Sequence, residues 1–459
     1  MNRPGRPVVD ARPAGWALLA AIALMPPLAR AQAESLPAVA RPAWGQTLLL
    51  GVTVNGVAQE GMLRAVRLPE GLAIARSHWD DLHLQLPPAG LRLIEGEPHV
   101  LLAPGGAVRW TIDEATQTLA LQAAAGAFLG QRFDLAAEAP RVTAPAVWAP
   151  FVNYDLQWQT RRGGASAADA LWELGLLSPG GDLSSTQLSR QGGGTVRLDT
   201  RWQRDDPQRL ARWQVGDTIS HAGAWGRALR FGGVQWGTDF SLQPGFLSFP
   251  LPTLRGEAAV PSTLDVYVNN SQRLQSRLPA GPFDLHELPV VTGQGEIRTV
   301  VKDLLGREQV VVTPYYVSPA LLKPGLRAFS LEAGVMREDY GLRSNRYGRA
   351  LFSFTERRGV TERFTTEWRA EATGRHQAAG VGGWWLWPQL GTLGASAAAS
   401  QTRGAGRGWL LQTGLDRQAG DWSGSVQWRR MSAGFTQLGQ PAAPAPRSVL
   451  ALAMGTSWA

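Results

Sequence analysis

Six histidines, His78, His83, His99, His221, His286 and His376, are the side chains best suited to move protons or hold a metal, and they are scattered along the chain. His78 and His83 stand five apart and lack the His-Glu-x-x-His spacing that sets two ligands and a base on one helical face. Packing or surface roles account for them. Asp205-Asp206 before Pro207 reads as a solvated turn, because an acid-base pair needs a second group and a cleft. The chain carries neither a Gly-x-x-x-x-Gly-Lys-Ser/Thr phosphate cradle nor a Gly-x-Ser-x-Gly elbow, and Gln191-Gly192-Gly193-Gly194 reads as a turn. With no cysteine there is no disulfide framework and no thiolate metal site. The expectation is a protein that is not an enzyme, with no catalytic residue, no metal and no cofactor.

The elements are more informative than the reactive groups. In Phe151 to Gln159, Val152, Tyr154, Leu156 and Trp158 alternate with Asn153, Asp155, Gln157 and Gln159, the period of a strand with one oily and one wet face. The period returns at Val196, Leu198, Thr200 and Trp202, at Phe364, Thr366, Trp368 and Ala370 opposite Thr365, Glu367, Arg369 and Glu371, and at Trp422, Val426 and Trp428. Nineteen Trp residues, many near the ends of such runs, fit interfacial girdles. Charged residues in mid-strand suit a watery lumen better than a packed globule. A large soluble β-sandwich or propeller would also alternate, but these two signs favour a transmembrane antiparallel β-barrel.

Arg3, Arg6 and Arg12 precede the apolar run Trp16 to Met25, and Ala31-Gln32-Ala33 follows, which is the pattern of a secretory signal peptide over residues 1–33. Its loss lowers the formal charge from +8 to +5, by four Arg and one Asp. The remaining arginines are dispersed rather than clustered, which argues against a nucleic-acid partner. After Glu34 no run reaches the 18 or so apolar residues a spanning helix needs, so membrane entry would be by strands.

Residues 34–138 read as a small mixed α/β domain, with Asn55-Gly56 as a hairpin turn and Ser77, three before Asp80, as a helix cap. Pro140, Pro145 and Pro150 make 139–150 a stiff linker. Barrel strands follow over 151–254, with Gly232-Gly233 as a bulge. From 255 to 317 the strands shorten and lose their two faces, as in an inserted β-sandwich. The wall pattern resumes over 318–459.

Several runs resemble the outer-membrane fimbrial ushers of the chaperone-usher pathway. They are Leu229-Arg230-Phe231-Gly232-Gly233, Phe240-Ser241-Leu242-Gln243-Pro244, Leu264-Asp265-Val266-Tyr267-Val268-Asn269, Leu278-Pro279-Ala280-Gly281-Pro282-Phe283-Asp284-Leu285 and Val312-Thr313-Pro314-Tyr315-Tyr316. Ile112 to Leu119 resembles the end of the usher's periplasmic domain, and Asn153-Tyr154-Asp155-Leu156 is similar to the spore-coat-protein-U-type branch. The resemblance implies an N-terminal domain in the periplasm that receives chaperone-bound pilus subunits, a barrel in the bacterial outer membrane as conduit, and a plug that closes the lumen. It implies assembly by strand exchange without nucleotide hydrolysis, an incomplete sheet trading one added strand for a better one.

The chain departs from the family in length. About 250 residues lie outside the insert and make roughly twelve to fourteen membrane strands, near half an usher wall. The expectation is a C-terminally truncated or split usher with an incomplete barrel, or else a smaller closed one. The alternative functions are a gated outer-membrane porin or solute receptor, or a non-functional usher fragment. Leu48, Leu50, Val52 and Leu63 are the candidate partner-binding surface, unless they form the domain's core. Pro282 and Phe283 come from the plug motif, Phe283 as a core anchor, and Arg230 is a candidate lumen contact holding the plug.

Overall fold

The computed structural model describes residues 45–88, 90–135, 147–160, 162–163, 166–440 and 446–456. The signal peptide and linker residues 139–146 therefore lie outside the described residues. Two compact units are present, divided between Gln122 and Ala123.

The first unit contains β1 (Gln46–Val54), β2 (Val57–Leu68), β3 (Gly71–Ala75), α1 (Arg76–Asp81), β4 (Leu91–Ile94), β5 (Glu97–Leu102), β6 (Val108–Asp113) and β7 (Thr118–Ala123). The sheet order is β4-β5-β3-β2-β1-β7-β6. Asn55 and Gly56 both take positive φ, 51° and 83°, the pair of left-handed residues that a tight turn between right-twisted strands demands. Leu50, Val52 and Leu63 are buried with Leu72, Ile74, Leu119 and fully buried Trp79 of α1. Ser77 does not cap α1: the position before the helix is Ala75, without a side-chain cap, and Ser77 lies inside the first turn. The helix is held by burial of Trp79 and by an Arg76–Asp80 pair one turn apart at 2.8 Å.

The second unit begins with β8 (Gln131–Asp134) and then enters the wall. Its first six wall strands are β9 (Ala149–Gln159), β10 (Ala167–Leu177), β11 (Asp182–Arg190), β12 (Gly194–Asp206), β13 (Ala211–Ile219) and β14 (Arg230–Thr238). The inserted module follows as β15 (Leu254–Ala258), β16 (Ser262–Val268), β17 (Ser271–Leu278), β18 (Gly281–His286), β19 (Gly293–Asp303) and β20 (Glu308–Val317). Eight more wall strands complete the described chain: β21 (Arg327–Arg337), β22 (Tyr347–Thr361), β23 (Phe364–Thr373), β24 (His376–Trp387), β25 (Gly391–Thr402), β26 (Gly406–Ala419), β27 (Trp422–Met431) and β28 (Ser448–Thr456).

Sequential wall strands pair antiparallel, and β14 pairs directly with β21 from Phe231↔Met336 to Gly237↔Ser330, skipping the module. The strand order runs round as a ring with β28 beside β9. Residue-by-residue registers join the other neighbouring wall strands in sequence from β9 to β28. The expected bulge at Gly232-Gly233 is absent: β13 and β14 keep register through Gly216↔Gly233 and Asp217↔Gly232. Glycine serves close approach instead. A Cβ on Gly233 would sit 2.1 Å from the Ala333 carbonyl oxygen, and one on Gly232 2.6 Å from the Tyr347 ring.

The two faces of the wall follow the alternation. On β23, Thr365, Glu367, Arg369 and Glu371 are buried inward while Trp368 is exposed outward. Outward aromatics gather where the wall strands meet the rim at which β9 begins. Trp213 stacks on Trp236 at 5.0 Å, Phe329 meets Trp236 edge-on at 4.7 Å, and Phe364 stacks on Trp385 at 4.7 Å. This is the girdle expected at a membrane interface.

The module is a sandwich. One sheet pairs β17-β16-β19-β20 and the other is ordered β15-β18-β8. Leu264, Val266, Phe283, Leu285 and Ile297 form its core, with Phe133 packed against it from β8. The segment ahead of the wall thus supplies a third strand, parallel to β18 from Phe283↔Gln131 to His286↔Asp134.

Candidate functional site

The module meets the wall at one end of β26. Tyr316 Oη donates to the Asp416 carbonyl at 3.4 Å and accepts from the Gln418 amide at 3.0 Å, and Arg417 Nη2 donates to Gln294 Oε1 at 2.7 Å. Gln294 pairs there with Ala419. This is the rim at which the wall begins, since strands alternate in direction from β9. Among the described residues, the side-chain hydrogen bonds that join the module to the wall strands are those at this rim.

Phe283 occupies the place the sequence assigned it, 2% exposed in the module core. Its ring lies over Gly256 on the facing strand, where a Cβ would come within 2.3 Å of it. Pro282 is half-buried and adjoins Gly130, and Gly281 at φ +134° leaves no room for a side chain beside Phe128. The Gly-Pro-Phe run is therefore the seam where the segment carrying β8 docks.

Arg230 does not hold the module. It donates to Asp199 at 3.2 Å and lies over the Tyr340 ring at 3.6 Å, while Tyr340 Oη donates to Asp199 Oδ2 at 2.9 Å. Its position at the start of β14, the opposite rim, explains the difference: it pins the β21–β22 connection to β12.

The inner face of the wall holds the residues that sequence reasoning missed as a site. Three connections turn inward onto it: 220–229 between β13 and β14, 318–326 between the module and β21, and 432–440 between β27 and β28. Glu332 Oε1 accepts from the His221 amide at 2.6 Å, and Glu367 accepts from the Ala224 amide. Arg369, 0% exposed at its side chain, donates to the His221 carbonyl and to Thr355 Oγ1, both at 2.6 Å, and pairs with Glu371 at 3.2 Å. Glu371 Oε1 accepts from the Leu438 amide at 2.8 Å, and His376 Nε2 lies 3.3 Å from the same oxygen. Gln437 donates to the Trp225 carbonyl, tying two connections together. On the third, Arg357 donates to the Ala320 carbonyl at 2.6 Å and Thr365 accepts from the Leu322 amide at 2.8 Å. Beneath the backbone bonds, Trp225 packs with Leu410, Met431 and Phe435.

Burial drives the His221 imidazole below its ordinary value, the nearby Arg369 and Arg357 adding to this against the pull of Glu332. The polar wall face is thus a binding surface for three strips of the protein's own backbone. The cue lay in sequence, because charged side chains at membrane depth are costly and mark function or structure. Its partners, brought from 111 to 148 residues away for His221, did not. Among the described residues no group of three or more His, Asp or Glu could hold a metal ion.

Leu50, Val52 and Leu63, proposed for partner contact, are 3%, 5% and 4% exposed, and Leu48 on the same face is half-buried. They are core, because period-two apolar residues of a one-sided sheet point inward. The other face carries the accessible apolar pair, Leu49 and Met62, at 57% and 50% exposure on adjacent rungs.

Comparison with known proteins agrees with this architecture. The family model described as outer membrane usher protein matches residues 183–407, just under half of the chain. The F1 capsule-anchoring protein of Yersinia pestis is 24% identical over 314 residues, 63% of this chain and 36% of that protein. The outer membrane usher protein FimC of Bordetella pertussis is 31% identical over 155 residues, 34% of this chain and 18% of the relative. The chain thus spans about a third or less of these relatives' length. Among solved structures, the Escherichia coli P pilus tip assembly intermediate PapC-PapD-PapK-PapG matches with a TM-score of 0.50 at 17% identity, covering 90% of this chain and 56% of that one, a likeness of fold. Its wall is interrupted between the sixth and seventh strands by a sandwich module, and over residues 183–407 the chain is similar to outer-membrane usher proteins.

Proposed function

We propose that this chain acts in the outer membrane as an usher, receiving chaperone–subunit complexes on its periplasmic N-terminal unit and passing pilus subunits through the wall. The observation that carries the reading is the continuous β14–β21 register across an excursion of independent core. A sandwich that supplies none of the rungs between β14 and β21 suits a movable stopper, tied to the wall at one point on β26. The strand β8 links that stopper to the segment following the N-terminal unit, which gives a captured complex a mechanical route to it. The work is strand exchange at open sheet edges and needs no catalytic group. Leu49 and Met62 are the contact we assign to the incoming complex, being apolar and accessible where their neighbours are core.

The test is capture. The full chain, purified in detergent, is expected to retain a cognate periplasmic chaperone bound to its subunit, and Leu49→Glu with Met62→Glu to release it while the N-terminal unit stays folded. Retention unchanged in the double variant removes the assigned surface. Failure of the unaltered chain to retain any chaperone–subunit complex encoded beside it removes the usher reading.

A further inference from the structure

The outer face of β22 to β26 carries a furrow. Ala370, Ala379 and Ala399 lie side by side across β23, β24 and β25, flanked in the same row by Phe354 and Trp409. Small side chains between large aromatic ones leave an apolar groove of about 760 Å³, running into a second recess of about 570 Å³ that shares those three alanines. Both volumes fall in the range of small-molecule sites, roughly 300 to 1,000 Å³. A groove in a lipid-facing wall forfeits dispersion contacts unless something fills it, and an acyl chain has the right shape and polarity.

One row nearer the rim the surface turns polar, reading Gln377, Gln401 and Arg407 across β24, β25 and β26. Above it, Arg375 and Arg403 stand exposed in adjoining turns, the Arg403 amide donating to the Arg375 carbonyl at 2.9 Å. Neither Thr373 to Gln377 nor Gln401 to Gly408 contains an Asp or Glu. Among the described residues no carboxylate lies within ion-pair distance of Arg375, Arg403 or Arg407. The nearest acid in sequence, Glu371, faces inward and is bound to Arg369 and His376. Three unmatched guanidinium groups at the mouth of an apolar furrow are complementary to an acylated molecule bearing more than one phosphate, which arginine engages through paired hydrogen bonds.

We propose that this furrow and its arginine rim bind a multiply phosphorylated, acylated glycolipid of the outer leaflet, one acyl chain lying over Ala379 and Ala399 and the phosphates against Arg375, Arg403 and Arg407. The leaflet rests on the usher reading, in which the rim where the wall begins faces the periplasm. The full chain in zwitterionic detergent is titrated with lipid A, phosphatidylglycerol and phosphatidylcholine, bound lipid being counted by native mass spectrometry. Lipid A is expected to bind most tightly. Each arginine removed lowers its affinity about fivefold, so that Arg375→Gln with Arg403→Gln and Arg407→Gln falls on the order of a hundredfold. Ala379→Trp with Ala399→Trp, which fills the furrow, abolishes the preference. Heat-dependent gel mobility confirms a folded wall, and for a variant that loses it, Arg407→Gln alone supplies the fivefold test. Lipid A held equally by the charge variants, or phosphatidylglycerol held as tightly as lipid A, overturns the proposal. Chaperone–subunit capture is a separate readout, and its failure with lipid A still bound counts against the usher reading alone.

Discussion

Arg369→Met removes a guanidinium that is wholly buried and has three partners: the His221 carbonyl and Thr355 hydroxyl at 2.6 Å and Glu371 at 3.2 Å. Methionine keeps much of the volume, so little of the loss comes from a cavity. What remains is Glu371 without the guanidinium, held by the His376 ring and the Leu438 amide inside a region that solvent does not reach. Deleting one member of a buried pair costs about 3 to 5 kcal/mol, and the severed bond to His221 frees the 220–229 connection. The expected effects are a lower urea midpoint for the wall reconstituted in detergent and new protease cleavage within 220–229. The double variant Arg369→Met with Glu371→Gln leaves no unpaired charge and recovers at least half of the lost stability, because what is costly is the orphaned carboxylate. If the single variant loses less than about 1 kcal/mol, or the double variant is no more stable than the single, the inner-face network does not hold the connections as described.

Other expectations follow from the same geometry. Phe283→Ala opens the module core and costs about 3 to 5 kcal/mol, measured by limited proteolysis between 255 and 317, while the wall's gel mobility is unchanged. Leu50→Ala destabilises the N-terminal unit by about 2 to 5 kcal/mol in a chemical melt, whereas Leu49→Glu at the exposed position next to it stays within about 0.5 kcal/mol. His221 is depressed by burial, so the unfolded connection binds a proton that the folded one resists. Stability of the 220–229 docking is therefore full above about pH 6.5 and declines as pH falls from there towards the lowered folded value. His221→Gln flattens that slope, as read by protease protection across pH 4 to 8, and a slope unchanged by the substitution contradicts the assignment.

The wall was legible because a lipid-facing sheet forces strict alternation, and β23 shows it residue by residue. The Asn55-Gly56 turn and Phe283 in its sandwich core were legible for a similar local reason: one backbone geometry and one apolar setting fit each. Arg230 was misread because sequence places a residue on a strand without saying which rim that strand end occupies, and it binds Asp199 and Tyr340 far from the module. The expected bulge failed because glycine pairs also serve close packing, here against the Ala333 carbonyl and the Tyr347 ring. The inner-face network was invisible for a different reason. Glu332, Arg369 and Glu371 looked like lumen polarity until connections from more than a hundred residues away were laid over them, and backbone carbonyls and amides leave no trace in side-chain pattern. Leu50, Val52 and Leu63 show the same limit in reverse, since alternation tells which residues share a face and not which face is covered.

One membrane wall runs directly from β14 to β21 and is interrupted by a module that supplies none of the rungs between them. Excision of 255–317, with β14 joined to β21 through a short flexible loop, tests this most directly. Outer membranes carrying the shortened chain are assayed by heat-dependent gel mobility and by single-channel recording after reconstitution. A folded wall that still inserts is expected, with a disulfide forming between cysteines placed at Val234 and Ala333, which face each other in the register. A shortened chain that no longer assembles in the membrane, or that assembles without that cross-link, contradicts it.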